Sequence, residues 1–137
     1  MPADDARLED ARAWLDKAAL DLRAAELLVG APDAGLLGNA AFHAQQAAEK
    51  ALKALLAWHD EPFRKTHSIE ELRKACVAIA PDLATAIDAA VPLTEYAWKF
   101  RYPGDAGEPT REETERALQS ARTLVSAVEA LVPPGKK

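Results

Sequence analysis

Between Leu8 and Gly30 the apolar residues Leu8, Ala11, Leu15, Ala18, Leu22, Ala25 and Val29 follow one another at steps of three and four. That period is the repeat of an α-helix, and it places all seven on one stripe of a long amphipathic helix. Such a stripe is stable only when other elements cover it, so the chain must supply partners of matching shape. Gly30, Pro32 and Gly35 end the helix.

The partners carry the same period. Leu37, Ala40, Ala44, Ala47, Ala51 and Leu55 define a second long helix from about Leu36 to His59, and the "DEPF" at residues 60–63 breaks it. Ser68 and Glu71 have the S-x-x-E spacing of a capping box and start a third helix. Pro81 opens a shorter segment and Pro92 interrupts it. "LTEYAWKFRYP", residues 93–103, reads as a helical turn or two ending before Pro103. "GDAGEP" at 104–109 is a loop. Thr110 and Glu113 repeat the capping spacing, and Leu118, Ala121, Val125, Val128 and Val132 form the stripe of the last helix. Alternating, β-branched strand patterns are missing. The expected fold is all-α, an antiparallel up-and-down helical bundle of four to five helices. It forms one domain over residues 1–132, with a flexible tail at 133–137. Leu20, Leu27 and Leu28 lie beyond the main stripe and are candidates for covering a dimer interface.

Composition narrows the function. The chain has 137 residues and a formal charge of −5, so a broad basic face for duplex nucleic acid is not expected, while a local basic pocket stays open. Cys76 is the single cysteine, which excludes an intrachain disulfide and a multi-thiolate zinc site; its apolar setting reads as core filler. The acidic start lacks the apolar run of a signal peptide, and no segment reaches the roughly 20 apolar residues of a membrane span, so a cytoplasmic location and no membrane contact are expected. His43, His59 and His67 are too scattered for a metal motif, and no P-loop or Gly-rich phosphate cradle is present, so no metal and no cofactor are expected.

The chemistry concentrates on the second helix. At about 100° per residue, His43, Gln46, Lys50 and Lys53 all fall within about 40° of Asn39 on a helical wheel. These five share one face, and the Ala/Leu stripe lies roughly opposite. Gln45 and Glu49 fall on the flank, where Glu49 can pair with Lys53 at i,i+4. Amides and a histidine followed by two cations suit a buried polar network or a bound anion, whereas a plain solvated face carries mostly Glu, Lys and Arg. Lys65 and His67 follow in "RKTH", and Arg101 and Tyr102 in "YAWKFRYP". Arg101 reads either as a bidentate phosphate clamp or as a structural ion pair with one of 22 acidic residues. Tyr96, Trp98 or Tyr102 could stack on a base. Trp98 and Phe100 are otherwise expected in the core, and Trp14 and Trp58 in the core or an interface. No serine or cysteine stands out as a nucleophile; Ser68 is explained as a helix cap.

"FHAQQAAEKALKALL", "KTHSIEEL", the "Y…RYP" segment and a final Ala/Leu helix after "PT" together resemble the HEPN domain in its prokaryotic branch. The resemblance runs from about Arg7 to Leu131 and rests on the order and spacing of the motifs. It implies an all-α bundle that forms homodimers and is commonly encoded beside a minimal nucleotidyltransferase, in some cases as a toxin–antitoxin pair. It also implies nucleotide binding or, in a subset, metal-independent RNA cleavage by an R-x4-6-H motif across the dimer. That motif is absent: residues 36–38, 52–54 and 60–62, which precede the three histidines at the required distance, contain no arginine. The leading expectation is a dimeric nucleotide- or phosphate-binding module acting with a nucleotidyltransferase. Its site is formed by His43, Gln46, Lys50, Lys53, Lys65, His67, Arg101 and Tyr102. A metal-independent ribonuclease with a non-standard site and a purely structural docking module are the alternatives.

Overall fold

The computed structural model describes residues 2–104 and 107–135. The described residues form five α-helices: α1 Pro2–Gly30, α2 Leu37–Trp58, α3 Ile69–Ile79, α4 Ala84–Ala90 and α5 Arg111–Glu129. Short 3-10 turns at Ala34–Leu36, Pro81–Leu83 and Val91–Ala97 join them. No strand occurs among the described residues, and none of the helices is long and apolar enough to cross a membrane. The protein is all-α, as the stripes require. Lys136 and Lys137 of the expected tail lie outside the described residues, as do Asp105 and Ala106 of the 104–109 loop.

The helix starts follow the local chemistry. Ser68 Oγ accepts from the Glu71 amide at 3.1 Å and Thr110 Oγ1 from the Glu113 amide at 3.0 Å. Each side chain thereby satisfies one amide that the first helical turn leaves without a partner. The α2 start has no side-chain cap from its own N-cap residue, Leu36. Glu108 takes that role from across the molecule, its Oε2 accepting from the Gly38 amide at 2.8 Å. Glycine is required there, because a Cβ on residue 38 would lie 2.5 Å from Glu108 Oε2 and 2.8 Å from Phe100 Cβ. Glu108 and Phe100 thus both lie against the head of α2.

α1 runs antiparallel to both α2 and α5. Arg7 lies over the Trp58 ring near one end of the α1–α2 pair, while Asp21 further along meets His43 and Lys50. Arg12 pairs with Glu129 and Glu26 with Arg122, which fixes the opposite run of α5. The stripes converge on one core containing Ala11, Leu15 and Ala18 of α1, Leu52, Leu55 and Leu56 of α2, and Leu124 and Val128 of α5. Each large aliphatic side chain buried there stabilises the fold by about 1.5–3 kcal/mol. Cys76 is fully buried against this core, and burial pushes its thiol pKa up to about 12, as expected of a structural cysteine.

One open reading is decided here and one expectation is corrected. The polar row of α2 is not a plain solvated face. α1, α3, α5 and the 91–97 turn pack around it, so Gln45, Glu49 and Lys53 are as buried as its leucines. The helical wheel sets relative angles but cannot show how many neighbours cover a helix. Trp98 is not core. It sits just past the 91–97 turn with 60% of its surface exposed, while Phe100 tucks in half-buried beside Tyr96.

Candidate functional site

The polar residues of α2 divide between two carboxylates. Asp21 of α1 accepts from His43 Nδ1 through Oδ1 at 2.9 Å and from Lys50 Nζ through Oδ2 at 2.6 Å. Glu49 of α2 repeats the arrangement: Oε1 meets His67 Nδ1 at 2.8 Å, and Oε2 accepts from Lys53 Nζ at 2.8 Å. Each carboxylate therefore gives one oxygen to a histidine and the other to a lysine. An ionised carboxylate only accepts, so Nδ1 must carry the proton in both histidines, and each Nε2 points away from the pair.

The Glu49 centre is the tighter one. Gln45 Nε2 donates to Glu49 Oε1 and to the His67 carbonyl, both at 3.0 Å, and Gln46 Nε2 donates to Gln45 Oε1 at 2.7 Å. Lys53 Nζ also donates to the Thr66 carbonyl at 3.0 Å and lies 5.5 Å from the Trp14 ring centre. Burial, the largest influence on Glu49, pushes its pKa upward. Hydrogen bonds from Lys53, His67 and Gln45 outweigh burial and hold it below the ordinary 4.5. Glu49 thus stays charged inside the protein because its oxygens are fully engaged.

Arg101 stands at the head of α2. Its guanidinium stacks on the Phe42 ring at 4.5 Å, and Phe42 in turn lies edge-on to the His43 ring at 5.3 Å. The Arg101 side chain donates to the Ala97 carbonyl at 3.3 Å. Among the described residues no carboxylate pairs with it, so the ion-pair reading finds no partner there. Tyr102, 68% exposed, has its ring 5.7 Å from the same guanidinium, and exposed Trp98 flanks it in sequence. Phe100, next to Arg101 in sequence, lies against Gly38 at the head of α2.

The eight residues expected at a site thus fall into groups. His43, Gln46, Lys50 and Lys53 lie on α2, and His67 joins them through Glu49. Arg101 and Tyr102 join at the His43 end through Phe42. Lys65 is exposed on the loop before α3 and makes none of these contacts. Sequence reasoning missed Asp21, Phe42 and the central position of Glu49. A signal existed for Asp21: three residues after Ala18 and four before Ala25, it sits on the edge of the α1 stripe, where a carboxylate must find a partner.

The clefts elsewhere have different chemistry. One of about 500 Å³ is lined by Asp5, Leu8, Glu9, Arg12, Ala13, Asp16 and Gly135. Its carboxylates and an arginine already paired with Glu129 make it a poor seat for an anion. No group of three or more metal-ligating side chains occurs among the described residues.

Residues 11–131 match the HEPN domain family. The chain belongs to the HEPN family. Among solved structures, this HEPN chain resembles TT1696 from Thermus thermophilus. The two are 36% identical, with a TM-score of 0.69 over 88% of this chain and 96% of the other. It also resembles ST0689, an archaeal HEPN homologue, at 21% identity and TM-score 0.67, covering 90% and 98% of the two chains. The second likeness concerns the fold alone. No curated protein matches the chain.

Proposed function

We propose that this HEPN domain is a nucleotide- or phosphate-binding module that acts with a minimal nucleotidyltransferase, as one half of a toxin–antitoxin pair. Arg101 is the observation that supports binding. It is an exposed guanidinium with no carboxylate partner among the described residues, oriented by Phe42 and neighboured by exposed Tyr102 and Trp98. A guanidinium fixed in this way suits bidentate phosphate recognition, and the adjacent rings suit stacking on a base. Lys50 and Lys53 are already neutralised by Asp21 and Glu49, so their part is to stiffen the α2 surface rather than to meet the ligand. His43, linked to Arg101 through Phe42, offers its free Nε2 beside the phosphate. Membership of the family supports the nucleotidyltransferase partner.

Calorimetric titration with ATP, GTP and short RNA tests this reading. Heat with the parent and at least a tenfold weaker response with Arg101→Ala is the expected result, since a hydrogen bond to a charged group contributes about 1.5–3 kcal/mol. Equal binding by parent and variant removes Arg101 from the site. No heat with any ligand favours the purely docking role.

The Glu49–His67 pair favours one second reading. His67 is 66% exposed, and a buried carboxylate fixes its tautomer, which is the arrangement of a general base. A metal-independent ribonuclease using His67 and Arg101 requires RNA cleavage in the presence of a chelator, reduced about 10²–10⁴-fold in His67→Asn. No cleavage by the pure protein, alone or with its partner, removes that reading.

A further inference from the structure

Between α2 and α3 the chain is fixed at both ends and lightly held in the middle. α2 stops at Asp60, whose φ is +54°. The Asp60 amide bonds the Ala57 carbonyl at 3.1 Å and the Glu61 amide bonds the Leu56 carbonyl at 2.8 Å, the paired bonds of a left-handed helix stop. α3 starts at the Ser68 cap, with the Ile69 amide on Thr94 Oγ1 at 3.2 Å. Between these ends, residues 62–67 make no backbone-to-backbone hydrogen bond among the described residues. One buried row of α2 holds them instead: Gln45, Glu49 and Lys53, at i, i+4 and i+8. Gln45 Nε2 donates to the His67 carbonyl, Lys53 Nζ to the Thr66 carbonyl, and Glu49 Oε1 engages the His67 ring. Phe63 adds an apolar tie, half-buried with its ring edge-on to Trp14 of α1 at 6.0 Å. Thr66 and Arg64 also meet Glu71 of α3, but at the surface, where such pairs contribute little. None of residues 59–68 is fully buried. Clefts flank the segment, one of about 640 Å³ against Arg7 and Asp10 of α1, the other of about 180 Å³ against Leu72 and Ala75 of α3; Pro62 and Phe63 line both.

We propose that residues 62–67 are a strap that opens as a unit between its two fixed ends, with the Gln45–Glu49–Lys53 row as its clasp. The energetics favour local opening over unfolding. The closed strap covers two opposite charges, so lifting it returns water to Glu49 and Lys53 and offsets the bonds that are lost. A strap over a purely apolar core would have no such return. The Phe63 ring is the main apolar contact given up. The helices keep their own hydrogen bonds, because the stop of α2 and the cap of α3 lie outside the moving part. The flanking clefts give the strap room to move without displacing the core. Opening changes what the surface offers. In the closed state His67 stands over α2 with Nδ1 held by Glu49 and Nε2 outward. In the open state His67 leaves Glu49, and Lys53, the one cation buried among the described residues, meets solvent. The strap thus gates both groups together, whether or not His67 takes part in chemistry.

Pulsed trypsin digestion of the full chain tests this, because Arg64 and Lys65 are exposed cleavage points inside the strap. Trypsin cuts a chain only where a stretch of it comes free, so the rate of cleavage there reads the opening. In the parent, cleavage after Arg64 or Lys65 is expected well below the urea midpoint of unfolding. Its rate is expected to rise with urea far less steeply than global unfolding does, since little surface is exposed. His67→Ala and Phe63→Ala are each expected to speed this cleavage by about fivefold or more. Thr110→Ala weakens the distant start of α5, so it is expected to lower the urea midpoint and leave cleavage in the strap unchanged. Acceleration by all three variants alike, with the urea dependence of global unfolding, shows that the strap opens only when the protein unfolds and overturns the proposal. Fast cleavage indifferent to His67→Ala and Phe63→Ala shows a loop without a clasp and overturns it as well.

Discussion

Glu49 shows how much one side chain can organise. It is 3% exposed, yet it is charged and shared among Lys53, His67, Gln45 and Gln46. Replacing it with Gln strands the Lys53 ammonium in the protein interior, which costs about 3–5 kcal/mol, measurable by chemical denaturation. Glu49→Gln combined with Lys53→Met recovers most of that loss, because neither charge is then buried alone. The pH dependence follows in sign. The folded pKa of Glu49 lies below its ordinary 4.5, so its contribution is complete above 4.5 and is lost as pH falls through the lower folded value. Stability measured below this ordinary value is therefore expected to fall more steeply for the parent than for Glu49→Gln. Arg101 is the opposite case: exposed and stacked on Phe42, it is expected to change stability by less than about 0.5 kcal/mol when replaced by Ala, while ligand binding falls. Neither role was legible from residue type. The wheel found the Glu49–Lys53 spacing but put Glu49 on a flank, and Arg101 meets Phe42 only because the chain returns to α2 some sixty positions later.

At the scale of elements the sequence is more explicit, because caps and stripes are local. The spacing of Ser68 with Glu71 and of Thr110 with Glu113 set the starts of α3 and α5, and both hydrogen bonds are present. Ser68→Ala and Thr110→Ala are each expected to lower stability by about 1 kcal/mol in thermal or denaturant melts. The α2 start could not be read this way. Its amide is satisfied by Glu108, seventy positions later, and no local pattern announces such a contact. Gly38→Ala tests it. The new Cβ collides with Glu108 and Phe100, so stability is expected to drop by about 1–3 kcal/mol. Because Phe100 is next to Arg101 in sequence, nucleotide affinity should fall with it. Stability and affinity both unchanged would show that the segment is positioned by something else.

The whole molecule is a bundle whose central helix carries a row of polar side chains among its alanines and leucines. Helical periodicity made the all-α class legible, and the motif order made the family legible. The exposure of each face was not, since it depends on how many helices surround α2. That is why the polar row turned out to be two internally balanced carboxylate–histidine–lysine centres, with the unbalanced charge displaced to Arg101 at their head. The proposed function follows from this imbalance in an acidic protein. The most direct test of where a ligand binds is an NMR titration of the isotopically labelled protein with ATP. Shifts confined to the amides of residues 98–102, the Arg101 side chain, and Phe42 and His43 are the predicted result. Shifts centred on the Arg12–Gly135 cleft, or none at any position, would contradict it.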